Sequence, residues 1–327
     1  MSLSRSALLI SCAVLLAACS TPAPEDTSQV SSNDFVGRWD MTLKTADGTH
    51  PSWLELTREG EQFSGRFVGK VGHARPVDDI TIQGATLTFT LPTQYEEMDS
   101  DLSFTGTLAD GSLSGTTNAN APAGAELDWT AVRAPDLAAP QSVEWGEAIE
   151  LFNGKDLDGW RLMDPAQDQF WKAVDGVLVN DVSDEGDVGE GTGLISDGTF
   201  MNFKLHLEFK YPKGSNSGIY LRGRHEVQIQ DDFGKEPFSR NISGVYGFID
   251  PSENAARKAG EWQSMDITLL GRFVTVVLND TTVIDNQEIP GITGGALDSN
   301  EGEPGPIFIQ GDHGPISFRN IILTPAL

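Results

Sequence analysis

In 327 residues the chain carries 48 acidic against 22 basic side chains, a formal net charge of −26, and no basic cluster interrupts the acidic background. That makes nucleic acid and anionic membrane surfaces poor electrostatic partners and reads first as solubility. The length exceeds what one small core usually holds, so two domains are expected.

The chain opens MSLSRSALLISCAVLLAACS, with a basic start at Arg5, a short apolar run and small residues at its end. This predicts a secretory signal peptide over 1–18. Leu16, Ala17, Ala18 and Cys19 resemble the lipobox of bacterial lipoproteins. The resemblance implies lipidation of Cys19, a membrane link through that anchor, and a place in the bacterial cell envelope, at the outer membrane or facing the periplasm. Cys12 falls in the signal, so the folded part has no thiol for a disulfide or a cysteine zinc site. Residues 19–33, small, polar and proline-containing, read as a flexible tether.

Helical periodicity is nearly absent from there on, and short alternating segments recur, which predicts an all-β protein. Over 34–133 the segments WDMTL, WLELT, FSGRFVG, ITIQG, LTFTL, LSFTGTL, LSGTT and LDWTAV read as a meander. Tight turns are signalled at Asp47-Gly48 and Asp110-Gly111. A small antiparallel barrel or sandwich would close the edges of such a sheet. The opening Gly37-Arg38-Trp39 resembles the start of lipocalin-type barrels, although a packed structural domain is the stronger expectation over a ligand cavity. Residues 134–147, rich in proline and alanine, read as a linker.

From 148 to 327 the strands lengthen. FWKAVDGVLVN predicts a hairpin around Asp175-Gly176, followed by LHLEFKY, FVTVVLND, PIFIQG and ISFRNIIL. Many strands without helices fit two packed sheets of the jelly-roll kind. In LHLEFKY, Leu205, Leu207, Phe209 and Tyr211 share one face, and His206, Glu208 and Lys210 share the other.

NSGIYLRGRHEVQIQD, residues 216–231, reads as a strand with Arg222, Arg224, Glu226, Gln228 and Gln230 on alternate positions. A solvated outer face would explain polar alternation. Yet Gln and Glu are poor strand formers, and guanidinium beside carboxylate beside amide makes a hydrogen-bonding surface matched to sugar hydroxyls. Trp160, Trp171, Tyr220 and Trp262 are candidate platforms for a sugar ring, each with the core as its alternative.

Five blocks then carry a family resemblance: LFNGKDLDGW (151–160), NSGIYLRGRHEVQIQD, GEWQSMDITLLG (260–271), VVLNDTTVIDN (276–286) and GPIFIQGDHGPISFRNIIL (305–323). Together they resemble the 3-keto-disaccharide hydrolase domain family, over nearly all of the second domain. The resemblance implies a concanavalin-like jelly-roll sandwich and action on carbohydrate oxidised at C3. His225 stands where the family usually has Tyr or Phe, and Gln230 where it often has an aliphatic residue.

A ketone at C3 acidifies the hydrogen at C2, so the C1 substituent can leave by elimination and water can complete net hydrolysis. Such chemistry needs a base, an acid and donors at the developing enolate. Glu208 and Glu226 are the candidates for base and acid if their strands pair. Arg222 or Arg224 is the candidate for the enolate, and His313 is an alternative base, with packing in a turn as its other reading. Asn216, Arg224, Gln228, Gln230, Trp262 and Tyr220 are the candidate substrate contacts. The competing reading pairs Arg222 and Arg224 with Glu226 and Asp231 in a structural network. No cofactor or metal is expected from a motif, although Asp231, Asp232, Asp250 and Asp312 keep a divalent cation open, and the acidic 181–191 segment looks calcium-like in composition alone. A carbohydrate-binding lipoprotein without turnover, or an envelope scaffold, are the alternatives to an enzyme.

Overall fold

A computed structural model describes residues 30–45, 47–96, 98–182 and 191–327. The signal, Cys19, most of the tether and residues 183–190 of the acidic loop lie outside the described residues. Apart from one short 3-10 turn, Ser32–Phe35, the regular elements are strands, as the alternation predicts.

The first unit contains β1 (Gly37–Thr45), β2 (Gly48–Glu59), β3 (Gln62–Val68), β4 (Arg75–Val77), β5 (Asp79–Gln83), β6 (Thr86–Leu91), β7 (Leu102–Ala109), β8 (Ser112–Thr117) and β9 (Leu127–Arg133). They form one antiparallel nine-stranded sheet in the order β4-β3-β2-β1-β9-β8-β7-β6-β5. Its two edge strands, β4 and β5, are joined only by Asp78, so the sheet has to curl back on itself into a nearly closed barrel. Asp110 and Gly111 both take positive φ at the β7–β8 turn, as the Asp-Gly signal predicts.

The barrel interior is filled. Phe89 stacks on Phe104 at 4.5 Å, Phe67 lies 4.9 Å from Phe104, and Trp129 closes the layer edge-on at 6.1 Å. Gly106 leaves room for the Trp129 ring, which a Cβ at that position would strike. The first unit is therefore packed at its centre and not hollow like a ligand-carrying barrel.

The second unit contains β10 (Ile149–Glu150), β11 (Trp160–Leu162), β12 (Trp171–Val174), β13 (Val177–Asn180), β14 (Leu194–Phe200), β15 (Phe203–Lys210), β16 (Asn216–Leu221), β17 (His225–Gln230), β18 (Gln263–Leu270), β19 (Phe273–Leu278), β20 (Thr281–Glu288), β21 (Gly305–Ile309) and β22 (Ile316–Pro325). An eight-stranded sheet runs β12-β13-β22-β15-β18-β19-β20, with β10 also on β22, and a five-stranded sheet runs β11-β14-β21-β16-β17. Leu205, Leu207 and Phe209 of β15 bury their shared face in the same core as Ile219, Leu221, Val227 and Ile229 of the smaller sheet. This is the two-sheet sandwich expected.

The 216–231 stretch is a hairpin, not one strand. Asn216 pairs with Gln230 and Leu221 with His225, leaving Arg222-Gly223-Arg224 as the turn. Arg222 and Gly223 both have positive φ, 54° and 69°. The alternation that put both arginines on the face of Glu226 is interrupted there.

The two units pack closely. Trp53 and Val68 of the barrel bury themselves against Ile292, and Trp53 meets Phe248 edge-on at 5.4 Å. Gly291 allows that approach, since a Cβ there would strike the Trp53 indole. Arg38 of β1 pairs with Glu288 at the end of β20. The linker is also pinned: Arg272 N–H donates to the Leu137 carbonyl at 2.9 Å, and its guanidinium reaches Pro135 O at 3.1 Å.

Candidate functional site

The outer face of the five-stranded sheet carries the chemistry. In the β16–β17 register, Asn216 opposes Gln230, Gly218 opposes Gln228 and Tyr220 opposes Glu226, so these six share one face. Strand β21 adds Phe308 opposite Tyr220 and, just beyond its end, Gln310, whose N–H donates to Gly218 O at 3.0 Å. The other face, with Ile219, Val227, Ile229 and Ile309, is core.

Glu226 is only 3% exposed. Its carboxyl lies over Gly218, where any Cβ would collide with Oε1. Burial pushes its pKa up to about 8; Tyr220 draws it down and the charge of Asp312 pushes it further up. The carboxyl is thus mostly protonated at neutral pH. The Tyr220 hydroxyl, beside the Glu226 carboxyl, donates to Gly294 O at 3.0 Å. Gly295, at φ 79°, lets the chain pass so close to the Tyr220 hydroxyl.

Around this carboxyl the surface is polar and half-buried. Among the described residues, Asn216 Oδ1 and Gln310 Oε1 are buried acceptors with no partner. Buried acceptors normally find a donor, so both suit a ligand hydroxyl. Asp312 accepts from His313 Nδ1 at 2.7 Å, an arrangement that orients the ring and leaves Nε2 as a base. Tyr246 stands beside Glu226, its N–H donating to Glu226 O at 3.0 Å. Its phenol is raised to about 12 by burial and then by the neighbouring Glu226. Gln228 is buried, and its Oε1 accepts from Ile229 N at 3.0 Å.

Other expected residues lie elsewhere. Glu208 sits on β15, which pairs with β18 and β22 and not with β17, so it belongs to the outer face of the opposite sheet. It accepts from Arg319 Nε at 2.7 Å and Asn320 Nδ2 at 2.6 Å. Partial burial opposes its ionisation, but the bonds from Asn320 and Arg319 win and hold it below the usual carboxylate range. A low pKa and a filled donor set suit an ion pair, not a base. Trp262 is on that same side, with Arg319 4.0 Å and Lys210 5.0 Å from its ring.

Arg222 is fully buried at the hairpin turn, bonded to Gly271 O and His225 Nε2, both at 3.1 Å. Burial lowers its pKa to about 10. Arg224 pairs with Asp298 at 2.7 Å and Glu303 O at 2.8 Å. Both arginines therefore belong to a structural network, though with other partners than Glu226 and Asp231. Trp160 and Trp171 are core, their indoles donating to Leu151 O and Thr192 O, each at 2.7 Å. Tyr220 is buried against Phe308 and Ile195, so it holds Glu226 and does not offer a ring to a sugar.

Asp232 is fully buried, bonded to Lys235 and Ile242 N. Among the described residues no group of three His, Cys, Asp or Glu side chains gathers as a metal site. Two hollows, of about 220 Å³ beside His206 and Asp266 and about 420 Å³ beside Trp39 and Arg133, lie away from Glu226. Sequence reasoning missed Gln310 and Tyr246. The alternation of PIFIQ could have found the first; the second reaches the site only because the segment around Val245 bridges back to Val227.

Residues 147–324 match the family model of the 3-keto-alpha-glucoside-1,2-lyase-like domain, more than half of the chain. The chain belongs to this family. A 3-keto-disaccharide hydrolase of Bacteroides thetaiotaomicron is 27% identical over 169 residues, covering 42% of this chain and 57% of that relative's length. Two crystal structures from Parabacteroides distasonis, each provisionally assigned as a glycosyl hydrolase, are similar as well. One is 28% identical with TM-score 0.46, covering 57% of this chain and 92% of the other. The second is 27% identical with TM-score 0.41, covering 54% and 98%. The barrel lies outside the family match.

Proposed function

We propose that this member of the 3-keto-alpha-glucoside-1,2-lyase-like family cleaves glycosides already oxidised at C3, with Glu226 as the general acid. The observation that carries the reading is a buried carboxyl with a pKa of about 8 on a sheet face otherwise furnished for hydroxyl groups.

His313, oriented by Asp312, takes the proton from C2, which the C3 ketone has acidified. The C2–H pair becomes the enolate, the C1–O bond breaks, and Glu226 delivers its proton to the departing oxygen. That leaves Glu226 charged where burial disfavours charge, so it retrieves a proton from the water that adds at C1. Protonated His313 returns its proton to C2. The atoms balance as net hydrolysis, and release after the first half would be a lyase reaction. Asn216 and Gln310 accept from sugar hydroxyls.

The test is incubation of the purified chain with a 3-keto-disaccharide and with its unoxidised parent. Cleavage of the first alone supports the reading, and sugar retention without product from either overturns it in favour of a binding protein. For the amino-terminal segment we propose a lipid anchor at Cys19 and an envelope location, supported by the lipobox-like Leu16-Ala17-Ala18-Cys19. Fatty-acid labelling that survives Cys19→Ala would rule it out.

A further inference from the structure

The barrel reaches the candidate site at two loops. In the loop between β3 and β4, Lys70 O accepts from Gly295 N at 3.0 Å, and Gly294, whose carbonyl receives the Tyr220 hydroxyl, lies so close to Gly72 that a Cβ would strike its backbone. His73 packs on Gly247 and sets its ring edge-on to Tyr246 at 6.5 Å. Thus a barrel loop rests on the glycines that hold Tyr220, which in turn faces Glu226.

In the second loop, between β6 and β7, residues 92–96 are anchored by an ion pair. Arg75 and Glu96 form an ion pair at 2.5 Å with side chains 9% and 6% exposed, and Arg75 also donates to Pro92 O at 2.8 Å. Glu96 Oε2 accepts the N–H groups of Gln94 at 2.7 Å and Tyr95 at 3.1 Å. What this loop presents is Tyr95. Its ring lies along Gly72, its hydroxyl is within reach of the Tyr246 phenol, and the residue is 54% exposed. A large aromatic side chain thus stands half in water beside the residue that flanks Glu226.

We propose that Tyr95 extends the Glu226 face from the barrel side and stacks on the leaving sugar of a disaccharide-sized substrate, so that the first unit sets specificity for the group at C1. Aromatic rings bind the apolar face of a sugar while a phenol hydroxyl bonds its rim. The inference rests on the proposed reaction for its substrate, but its test does not depend on turnover alone.

The experiment uses the full chain with Tyr95→Ala and Tyr95→Phe, and two substrates, a 3-keto-disaccharide and the matching 3-keto methyl glycoside. Tyr95→Ala is expected to raise KM for the disaccharide about threefold to tenfold with kcat unchanged, and to leave the methyl glycoside alone; Tyr95→Phe retains most of the affinity. Equal effects on both substrates, or none on either, overturn the inference. If the wild type cleaves neither, the reaction is wrong, and the inference is read by titrating the unoxidised disaccharide and its monosaccharide by calorimetry. Weaker disaccharide binding by Tyr95→Ala alone supports it then, and unchanged binding overturns it. Matching melting curves for the variants exclude a folding defect.

Discussion

Gly218 lies directly beneath the Glu226 carboxyl, so that a single added methyl group would occupy the place of Oε1. Hydrogen-only space on one strand is what lets a carboxyl on the next lie flat, shielded from water, and held in its neutral form. Gly218→Ala should displace the acid, lowering kcat by about a hundredfold, as expected for a misplaced catalytic group. The backbone at Gly218 is ordinary strand, so the loss of stability should stay at about 1–3 kcal/mol, measured by urea unfolding.

Glu226→Gln keeps the shape and removes the proton donor. Turnover of a 3-keto-disaccharide should fall by about 10² to 10⁴ while the variant still binds it, which calorimetry reads directly. Loss of binding in step with turnover would assign Glu226 to recognition.

The pH profile follows from the same group. A general acid with a pKa of about 8 is active below that value, so kcat/KM should decline above about pH 8. Stability runs in the same sense. Folding raises the pKa from 4.5 to about 8, so the native state holds the proton more tightly, and this contribution is full below about pH 4.5 and lost as pH rises through about 8. Glu226→Gln does not titrate. Its stability relative to wild type should therefore grow across that window, by on the order of a few kcal/mol, in denaturant titrations at acid and alkaline pH.

Glu208→Gln and Trp262→Ala test the placement on the opposite sheet. Both should leave kcat/KM unchanged, because their contacts are to Arg319, Asn320 and Lys210. A large loss of turnover in Glu208→Gln would return that residue to the reaction.

Trp53→Ala should loosen the junction between barrel and sandwich. Its indole is fully buried against Phe248, Ile292 and Gly291, and removing a buried Trp of this kind costs about 3–5 kcal/mol. Differential scanning calorimetry should show one transition in the wild type separating toward two.

Much of this molecule could be read from its residues in order. Alternation in LHLEFKY assigned the correct side chains to core and surface, the Asp-Gly pairs marked two of the hairpin turns, and five blocks identified the family. These are local properties: a strand's period of two and a turn's need for positive φ are set by neighbouring residues alone. The Arg222-Gly223-Arg224 turn left a weaker trace, a lone glycine, and arginine seldom takes the left-handed φ it adopts there. Reading through it placed two arginines on the wrong face.

By itself the sequence determined an all-β chain, a barrel-like meander ahead of a jelly-roll sandwich, and the shared face of Tyr220, Glu226 and Gln228 to the extent that alternation holds. Only the tertiary structure decided which sheet each strand joined, and so that Glu208 and Glu226 lie on opposite outer faces. It also brought Asp312 and Tyr246 to the buried acid, and the barrel's Tyr95 to Tyr246. The physical reason is that strand pairing and domain docking depend on contacts between residues distant in the chain, and a carboxyl's protonation depends on what those contacts exclude.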